Sequence, residues 1–202
     1  MATIAAEISS IGIPPAQLLG FALTIAASYF SARWGSAESR KQFRKKNEDE
    51  ERVAAANLIP LLMKFASDYE KKIGNLSSFV ASDGREGIDE PMTGIDFDPA
   101  IHLNAARLGS QVTARAIKLA VTKTRAEQHV GDVSGFYDTN DLNRMILSFS
   151  YLLALRARYL VDMAAEKADL AMRHSEDEIE RLRMPAFEYA HEIDSADETK
   201  WH

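Results

Sequence analysis

The stretch LNRMILSFSYLLALRARYLVDM, residues 142–163, decides the fold. Apolar residues recur in it at intervals of three and four, which is the period of a helix with one buried face. Its uncharged run, residues 145–155, is only about half as long as a bilayer-spanning helix and is ended by Arg156 and Arg158. We therefore predict that it forms the central core helix of an all-α protein. The predicted buried stripe consists of Leu142, Met145, Phe149, Leu152, Leu153, Leu160 and Met163.

Two stripes with the same period precede this stretch. The first predicts a helix that ends near Ala81, and Pro60 should kink it or begin it anew because proline lacks an N–H. The second predicts a helix that starts with Asp98 as cap and Pro99 as first helical residue, and that runs to about Val130. The stripes are Leu58, Leu62, Phe65, Tyr69, Ile73, Leu76 and Val80, and then Ile101, Ala105, Leu108, Val112, Ala116 and Leu119.

A C-terminal helical extension is predicted after the central helix. Ser175 with Glu178 forms a capping box after the central helix, where the extension should begin. Asp138 and Asp141 fit a variant of the same box before the central helix. Pro185 should disturb the extension, which we expect to reach about residue 193 before a flexible tail at 194–202. Residues 53–193 are thus predicted to form an antiparallel bundle of about three main helices with a C-terminal helical extension.

The segment 82–98 is predicted to be a long loop, because glycine, proline and acidic residues alternate in it. Connections between packed helices are usually shorter than this. If consecutive helices run in opposite directions, the loop lies exposed at the distal tip of the bundle. Loops of this kind often carry binding residues, so we expect that shortening it leaves helicity and melting nearly unchanged and weakens partner capture.

The N-terminal segment has the length of a membrane anchor. No charged side chain occurs at residues 8–32, and about 25 residues suffice to cross roughly 30 Å of hydrocarbon. Tyr29 and Trp34 lie near one end, where aromatic rings prefer the headgroups, and basic residues follow directly. The sequence therefore predicts a single transmembrane anchor at residues 1–34, in contact with the bilayer through 11–34. Its N-terminus would face outside and the bulk of the chain would lie at the cytoplasmic face of the cell (inner) membrane.

Two alternatives to an anchor stay open for this segment. Ser31 and Ala32 are small enough for a signal-peptide cleavage site, although the positively charged region that normally precedes the apolar part is missing. The segment could also be a buried amphipathic helix of a soluble bundle, packed intramolecularly. Polar residues such as Gln17 and Thr24 dilute its hydrophobicity and keep that reading open.

Small residues occupy every fourth position of the same segment and share one helix face. In lipid, such a face lets two helix backbones approach closely. The pattern therefore predicts a possible homodimer through Gly20, Thr24 and Ser28. The complete row is Ala16, Gly20, Thr24, Ser28 and Ala32.

Charge is distributed unevenly along the chain. The net charge of −6 divides, by the printed sequence, into −1 for residues 1–32, +5 for 33–46 and −10 for 47–202. An acidic body repels a phosphate backbone, so we predict no nucleic-acid binding. The charged stretch 35–52 is predicted to be a juxtamembrane stalk that attracts anionic lipid headgroups. The cationic residues of that stalk are Arg40, Lys41, Arg44, Lys45 and Lys46.

No motif of known chemistry occurs in the sequence. It contains no cysteine, no glycine-rich phosphate loop, no G-x-S-x-G and no H-E-x-x-H. Glu188 and His191 have the spacing of a di-metal carboxylate motif, but no second copy exists. Asp96 and Asp98 could be taken for cation ligands, but the stretch lacks the further oxygens and the glycine of a calcium loop, and helix capping explains Asp98 better. Catalytic, cofactor-binding and metal-binding residues are therefore all predicted to be absent.

The function predicted from these patterns is that of a membrane-anchored, non-enzymatic interaction or scaffold protein. Arg156 and Arg158 could recognise an acidic partner, although arginines beside a core stripe more often pair with glutamates of a neighbouring helix. One alternative is a ligand sensor or enzyme with its site inside the bundle. Another is a soluble bundle. A pocket lined by convergent polar groups favours the sensor, and a solid apolar core favours the scaffold.

Overall fold

The computed structural model describes residues 15–82, 92–186 and 188–193, with side chains from residue 38 onward except those of Met184, His191 and Glu192. Within these ranges the chain forms helices and no strand, which confirms the predicted all-α class. It divides into two units, residues 1–48 and 49–202. The helices are α1 (Pro15–Ala81), α2 (Ala100–Arg107), α3 (Ser110–Val133), α4 (Thr139–Lys167), α5 (Glu176–Ala186) and α6 (Ala190–Ile193).

Helix α1 is 67 residues long and continues through Pro60, so no helix begins anew there. Proline cannot donate to the carbonyl of Ala56, which leaves that acceptor without its helical partner. Both residues lie on the exposed side of α1, where water can bond the acceptor. The buried side is the predicted stripe over residues 58–76, and Ala54 and Ala55 extend it toward the N-terminus.

The single helix predicted after Asp98 is interrupted at Gly109, so that prediction is wrong. Gly109 has φ 103° and ψ 171°, a conformation open essentially only to glycine, and α2 and α3 are separate helices. The Thr113 hydroxyl bridges the break by donating to the carbonyls of Ala105 (3.2 Å) and Gly109 (2.8 Å). Pro99, and not Asp98, occupies the N-cap position of α2, and the Oδ1 of Asp98 accepts the N–H of Ala100 at 2.8 Å from one residue further back.

Gly109→Ala is expected to lower the free energy of unfolding by about 1–3 kcal/mol, the usual cost of a strained φ. A Cβ at Gly109 would meet no atom within 4 Å, so the cost comes from the backbone alone. Gly74→Ala is the control, because Gly74 lies inside α1 and a Cβ there is equally free. It should raise stability by about 0.5–1 kcal/mol. Urea unfolding measures both; equal stability of the two variants would contradict this conformation of Gly109.

Helix α4 is the central core helix, as predicted, with Met145, Phe149 and Leu153 fully buried. The predicted cap is confirmed, since the carboxylate of Asp138 accepts the N–H of Asp141 at 2.9 Å. The connection from α3 is short, so the two helices run antiparallel. Two contacts between the helices show the antiparallel direction. Residue 122 of α3 contacts residue 156 of α4, whereas residue 129, further along α3, contacts residue 149, which lies earlier in α4.

Helices α1 and α3 run in the same direction. Arg158 of α4 binds Glu70 of α1, and Asp169 lies 4.0 Å from Arg52, so α1 is antiparallel to α4 over residues 52–70. Since α3 is also antiparallel to α4, α1 and α3 are parallel. The chain between them must therefore return along the length of the bundle.

Residues 92–98, here called the return segment, lie along α1 in the opposite direction. Lys72 donates to the carbonyl of Thr93 at 3.1 Å, and four residues further on the Phe97 ring lies 5.6 Å from that of Phe65. Met92 is 2% exposed and belongs to the core. Residues 92–98 form a loop, as predicted, and Thr93, Gly94, Asp96 and Asp98 are exposed. The predicted position at the tip of the bundle is wrong for this segment, because it lies along α1.

The predicted capping box at the start of α5 is confirmed. The N–H of Ser175 donates to the Glu178 carboxylate at 3.0 Å, and the N–H of Glu178 donates to the Ser175 hydroxyl at 3.3 Å. Hydrogen bonds from the Ser175 backbone and side chain lower the pKa of Glu178. The cap therefore acts above the ordinary pKa of glutamate and is lost as the pH falls through the lowered value. After Pro185 the helix ends, and the Ser148 hydroxyl donates to the freed Pro185 carbonyl at 2.8 Å.

Candidate functional site

A cavity of about 430 Å³ lies where α3 ends and α4 begins. Its walls are the last turns of α3, the first turns of α4 and the start of the return segment. The antiparallel turn between α3 and α4 brings the first two walls together, and Lys72 holds the third by its bond to the Thr93 carbonyl. The lining residues are Met92, Thr93, Glu127, Val130, Gly131, Ser134, Thr139, Leu142, Asn143 and Ile146.

Asn143 is the unusual residue in this lining. Its side chain is 1% exposed, and its Nδ2 has no hydrogen-bond partner among the described residues. A buried donor without a partner costs about 1–3 kcal/mol, so such groups generally bind something. Asn143 was not among the residues predicted to form a site. The available signal was an amide placed between Leu142 and Met145 of the most apolar stripe.

Glu127 supplies a carboxylate to the wall of the cavity. Its Oε1 lies 2.8 Å from Nζ of Lys123, one helical turn earlier, and both side chains are mostly buried.

The Tyr69 hydroxyl is buried and has no hydrogen-bond partner in the described chain. Burial, and secondarily the negative charge of Glu127, raises the pKa of Tyr69, so this residue stays a neutral phenol.

The two arginines of α4 have structural partners. Nε and Nη2 of Arg158 donate to the same Glu70 oxygen at 3.0 and 2.7 Å, the glutamate pairing favoured in the sequence analysis. Arg156 is 4% exposed and donates to the hydroxyl of Thr122. Both arginines therefore connect α4 to neighbouring helices.

His174 forms a network with Arg158 and Asp162 in which both of its ring nitrogens have partners. Its Nδ1 lies 2.8 Å from the Asp162 carboxylate, and its Nε2 lies 2.8 Å from Nη1 of Arg158. Arginine can only donate, so Nε2 is the acceptor and Nδ1 carries the proton. The nitrogen that a catalytic base would offer to a substrate is thus occupied. The network ties the connection before α5 to α4 and α1.

A second, larger groove of about 1180 Å³ opens beside this network, between the end of α4 and α5. Its lining is strongly acidic, with only Arg173, Arg183 and His174 as basic residues. Arg183 already donates to the Tyr159 hydroxyl at 2.9 Å. The acidic residues are Asp162, Glu166, Asp169, Glu176, Asp177 and Glu180.

The residues weighed as metal ligands do not come together in the described structure. The Asp98 carboxylate accepts the N–H of Ala100, and Asp96 is exposed beside it. Glu188 is exposed, and the side chain of His191 lies outside the description. Among the described side chains, no group of three or more histidine and acidic residues could hold a metal ion.

The cationic residues of the predicted stalk all lie exposed on α1. Phe43 stands among them and is 64% exposed, which is unusual for a large apolar side chain. We call the five cationic residues the basic stretch: Arg40, Lys41, Arg44, Lys45 and Lys46.

The predicted dimer residues Gly20, Thr24 and Ser28 lie on α1, but their side chains fall outside the description. Over the described ranges, no helix combines the length and apolar character that a bilayer crossing requires.

Comparison of the chain with protein-family models, with curated proteins and with solved structures finds no match. No relative therefore assigns a role to any of these residues.

Proposed function

We propose that the protein is a non-enzymatic helical interaction module tethered to the inner face of a cell membrane. Residues 1–34 would form a single-pass anchor with the N-terminus outside, and residues 47–202 would lie in the cytoplasm. The observation that carries the proposal is the exposed basic stretch, which follows directly on the uncharged residues 8–32.

The chemistry of the basic stretch suits an anionic lipid surface. Each lysine or arginine near such a surface contributes about 1 kcal/mol of attraction. Phe43 lies three residues from Arg40 and three from Lys46, so the aromatic ring shares a helix face with two cations. An exposed aromatic ring flanked by basic residues is typical of helices that contact the headgroup region.

The uncharged segment supports insertion as well as surface contact. From Pro15 onward the backbone is one uninterrupted helix as far as the basic stretch, so its N–H and C=O groups bond one another. A chain in lipid requires this, because no water is present to bond them. Residues 8–14 of the segment lie outside the described ranges. The excess of basic residues on the C-terminal side favours a cytoplasmic body.

Self-association of the anchor belongs to the same proposal. Gly20, Thr24 and Ser28 fall on one face of α1 at four-residue intervals. Two apolar helices gain little by hiding from lipid, so contact depends on close backbone packing at such small residues. A homodimer would place two cytoplasmic bodies side by side for partner capture.

Two titratable groups of the body, His174 and Tyr69, support a non-enzymatic role. His174 has both ring nitrogens engaged, and burial keeps the Tyr69 hydroxyl protonated. Neither group is available to move a proton to or from a substrate.

Membrane fractionation of the full-length chain tests the tether. We expect the protein to stay in the membrane pellet after washing with 1 M salt, which screens surface charges, and after alkaline carbonate, which strips peripheral proteins. Deletion of residues 8–32 should release it. Release of the parent by salt alone would show surface attachment, and a protein that never pellets would show a soluble bundle; either result contradicts the anchor.

The basic stretch is tested by changing its five residues to glutamine in a chain that carries alkaline phosphatase after residue 202. The parent fusion should be inactive, because the enzyme stays in the cytoplasm, and the variant should gain activity as the orientation signal is lost. The control removes five exposed charges from the body and should stay inactive; strong activity in the parent would overturn the orientation. The control positions are Lys71, Arg107, Lys167, Arg173 and Arg181.

A further inference from the structure

We propose that the exposed face of α3 is a docking surface for residues 194–202 of the same chain. We call these residues the tail; the sequence predicts them to be flexible, and they lie outside the described residues. Trp201 of the tail would pack on an apolar ridge of α3, and the acidic residues of the tail would face the basic residues beside that ridge. The tail would thereby control access to this face. The inference does not depend on the membrane tether, because every residue of the contact lies between 107 and 202.

The ridge consists of apolar side chains on the side of α3 that faces away from the core. Ile117 is 50% exposed and Val121 is 41% exposed, and exposed Ala114 lies one turn before Ile117. These three residues are separated by three and four positions, so they share one helix face, opposite to the buried residues of α3. Covering such side chains with an apolar group removes them from water and is favourable.

The surroundings of the ridge are basic, although the body as a whole is acidic. Residues 99–126 include five basic and no acidic residues, a net charge of +5 within a body that carries −10. Lys118 and Arg125 are seven positions apart, two helical turns, so they lie along the same side of the ridge. The five basic residues are Arg107, Arg115, Lys118, Lys123 and Arg125.

The tail has the complementary charge. It contains Asp194, Asp197 and Glu198 against Lys200 alone, a net charge of −2 with its histidine neutral. Opposite charges on two surfaces favour their contact and fix which of several faces is chosen. The tail also contains Trp201, whose ring has a large apolar area to cover while its N–H stays in water.

The path of the chain brings the tail to this face of α3. Helix α6 packs against α3 and ends at Ile193, whose carbonyl accepts a hydrogen bond from Nη1 of Arg125 at 3.4 Å. The tail therefore starts beside Arg125, one helical turn from Val121. In the other direction α3 carries Glu127 and Asp132, which repel an acidic segment. The favourable course runs back along the ridge.

The tail is long enough to make the contact. Ile117 lies eight residues before Arg125 on α3, a distance of about 12 Å at 1.5 Å per residue. Trp201 follows Ile193 by eight residues, and an extended chain of that length spans up to about 26 Å. The Trp201 ring therefore reaches the ridge without any movement of α6.

Fluorescence of Trp201 in the full-length chain tests the contact. Trp34 is the other tryptophan, so a Trp34→Phe background reports on Trp201 alone. In detergent micelles, at low protein concentration, we expect blue-shifted emission and several-fold slower quenching by acrylamide than in a synthetic peptide of residues 194–202. Ile117→Ser combined with Val121→Ser should bring quenching to the level of the peptide. Leu103→Ser is the control and should change nothing, because Leu103 is 71% exposed on α2, away from the ridge.

A pair of substitutions in the tail keeps the test decisive if the double serine variant fails to fold. Asp197→Asn with Glu198→Gln should make quenching several-fold faster, because the attraction to the basic residues is weakened. Glu48→Gln with Asp49→Asn removes the same charge from exposed positions of α1 and should have no effect.

Four results would overturn the proposal. Quenching as fast as in the peptide would leave the face of α3 to a separate acidic partner. Slow quenching that persists in the double serine variant would place Trp201 elsewhere, in the detergent or on another part of the chain. Shielding that is lost on dilution would assign the contact to the tail of a second copy. Equal effects of the two charge-neutralising pairs would remove the role of charge.

Discussion

Deletion of residues 92–98 is expected to abolish cooperative unfolding of the helical body. Helices α1 and α3 are parallel, so the C-terminal end of α1 and the start of α3 lie toward opposite ends of the bundle. Helix α3 alone has 24 residues, about 36 Å at 1.5 Å per residue, and the chain must travel back over much of that length. Without the return segment the connection is shorter, Met92 is lost from the core, and the Phe97 ring no longer packs against it.

Circular dichroism during heating measures this outcome. The parent should melt with a sigmoidal transition, and the deletion should show a gradual one with reduced near-ultraviolet signal. The control inserts Gly-Ser-Gly-Ser between Gly135 and Phe136, in the exposed turn between the antiparallel α3 and α4. Lengthening that turn should cost less than about 1 kcal/mol. An unchanged transition after the deletion would contradict the packing of the return segment against α1 and the core.

Arg158→Ala should lower the free energy of unfolding by about 2–3 kcal/mol. The change leaves Glu70 without its cation and His174 without the donor at Nε2. Breaking a fully buried ion pair typically costs 3–5 kcal/mol. The side chains of Arg158 and Glu70 are 16% and 26% exposed, so water partly relieves the loss and the expected value is lower.

A double-mutant cycle with Glu70→Ala isolates the pair. We expect a coupling energy of about 1–2 kcal/mol, with the remaining cost of Arg158→Ala coming from His174. Lys64→Ala is the comparison, since Lys64 pairs with Asp68 on the surface with 79% of its side chain exposed. It should change stability by less than about 1 kcal/mol. If Arg158→Ala costs no more than Lys64→Ala, the network does not hold α1 to α4.

Helical periodicity was sufficient to predict the buried faces of α1 and α4. Helix α1 has one apolar stripe that packs against the rest of the body, and burial of that stripe overrides local exceptions such as Pro60. Helix α4 is buried on more faces than its predicted stripe, since all residues from 152 to 157 are buried. The capping boxes at α4 and α5 were also predictable, because a cap uses residues three positions apart.

The break at Gly109 could not be predicted from the pattern. Gly74 and Gly131 lie inside helices, whereas Gly109 separates two, although all three interrupt a similar helical period. A glycine permits a positive φ and does not impose it, so tertiary packing decides. The parallel direction of α3 relative to α1 was not predicted either. The length of the connection between these two helices does not reveal that part of the connection packs against α1.

The cavity was beyond sequence reasoning because its walls come from three separate elements. Asn143, Glu127 and Met92 have no characteristic spacing, and each has an ordinary explanation in its own helix or loop. Only the fold shows that Nδ2 of Asn143 is buried and has no partner among the described residues. The pairing of Arg158 was easier, because a charge beside an apolar stripe needs a partner.

The parallel course of α1 and α3 also sets an order in which the chain can acquire its structure during synthesis. Helices α3 and α4 meet through residues 34 positions apart, while α1 meets α4 through residues 88 positions apart. Nearby pairs close sooner, so we expect the α3–α4 hairpin to form first and α1 to dock on it afterwards. At about 5–20 residues per second, the ribosome needs on the order of 5–20 s to deliver Arg158 after Glu70. During that interval the apolar face of α1 has emerged without its partner, and it is the part of the nascent chain that chaperones would hold.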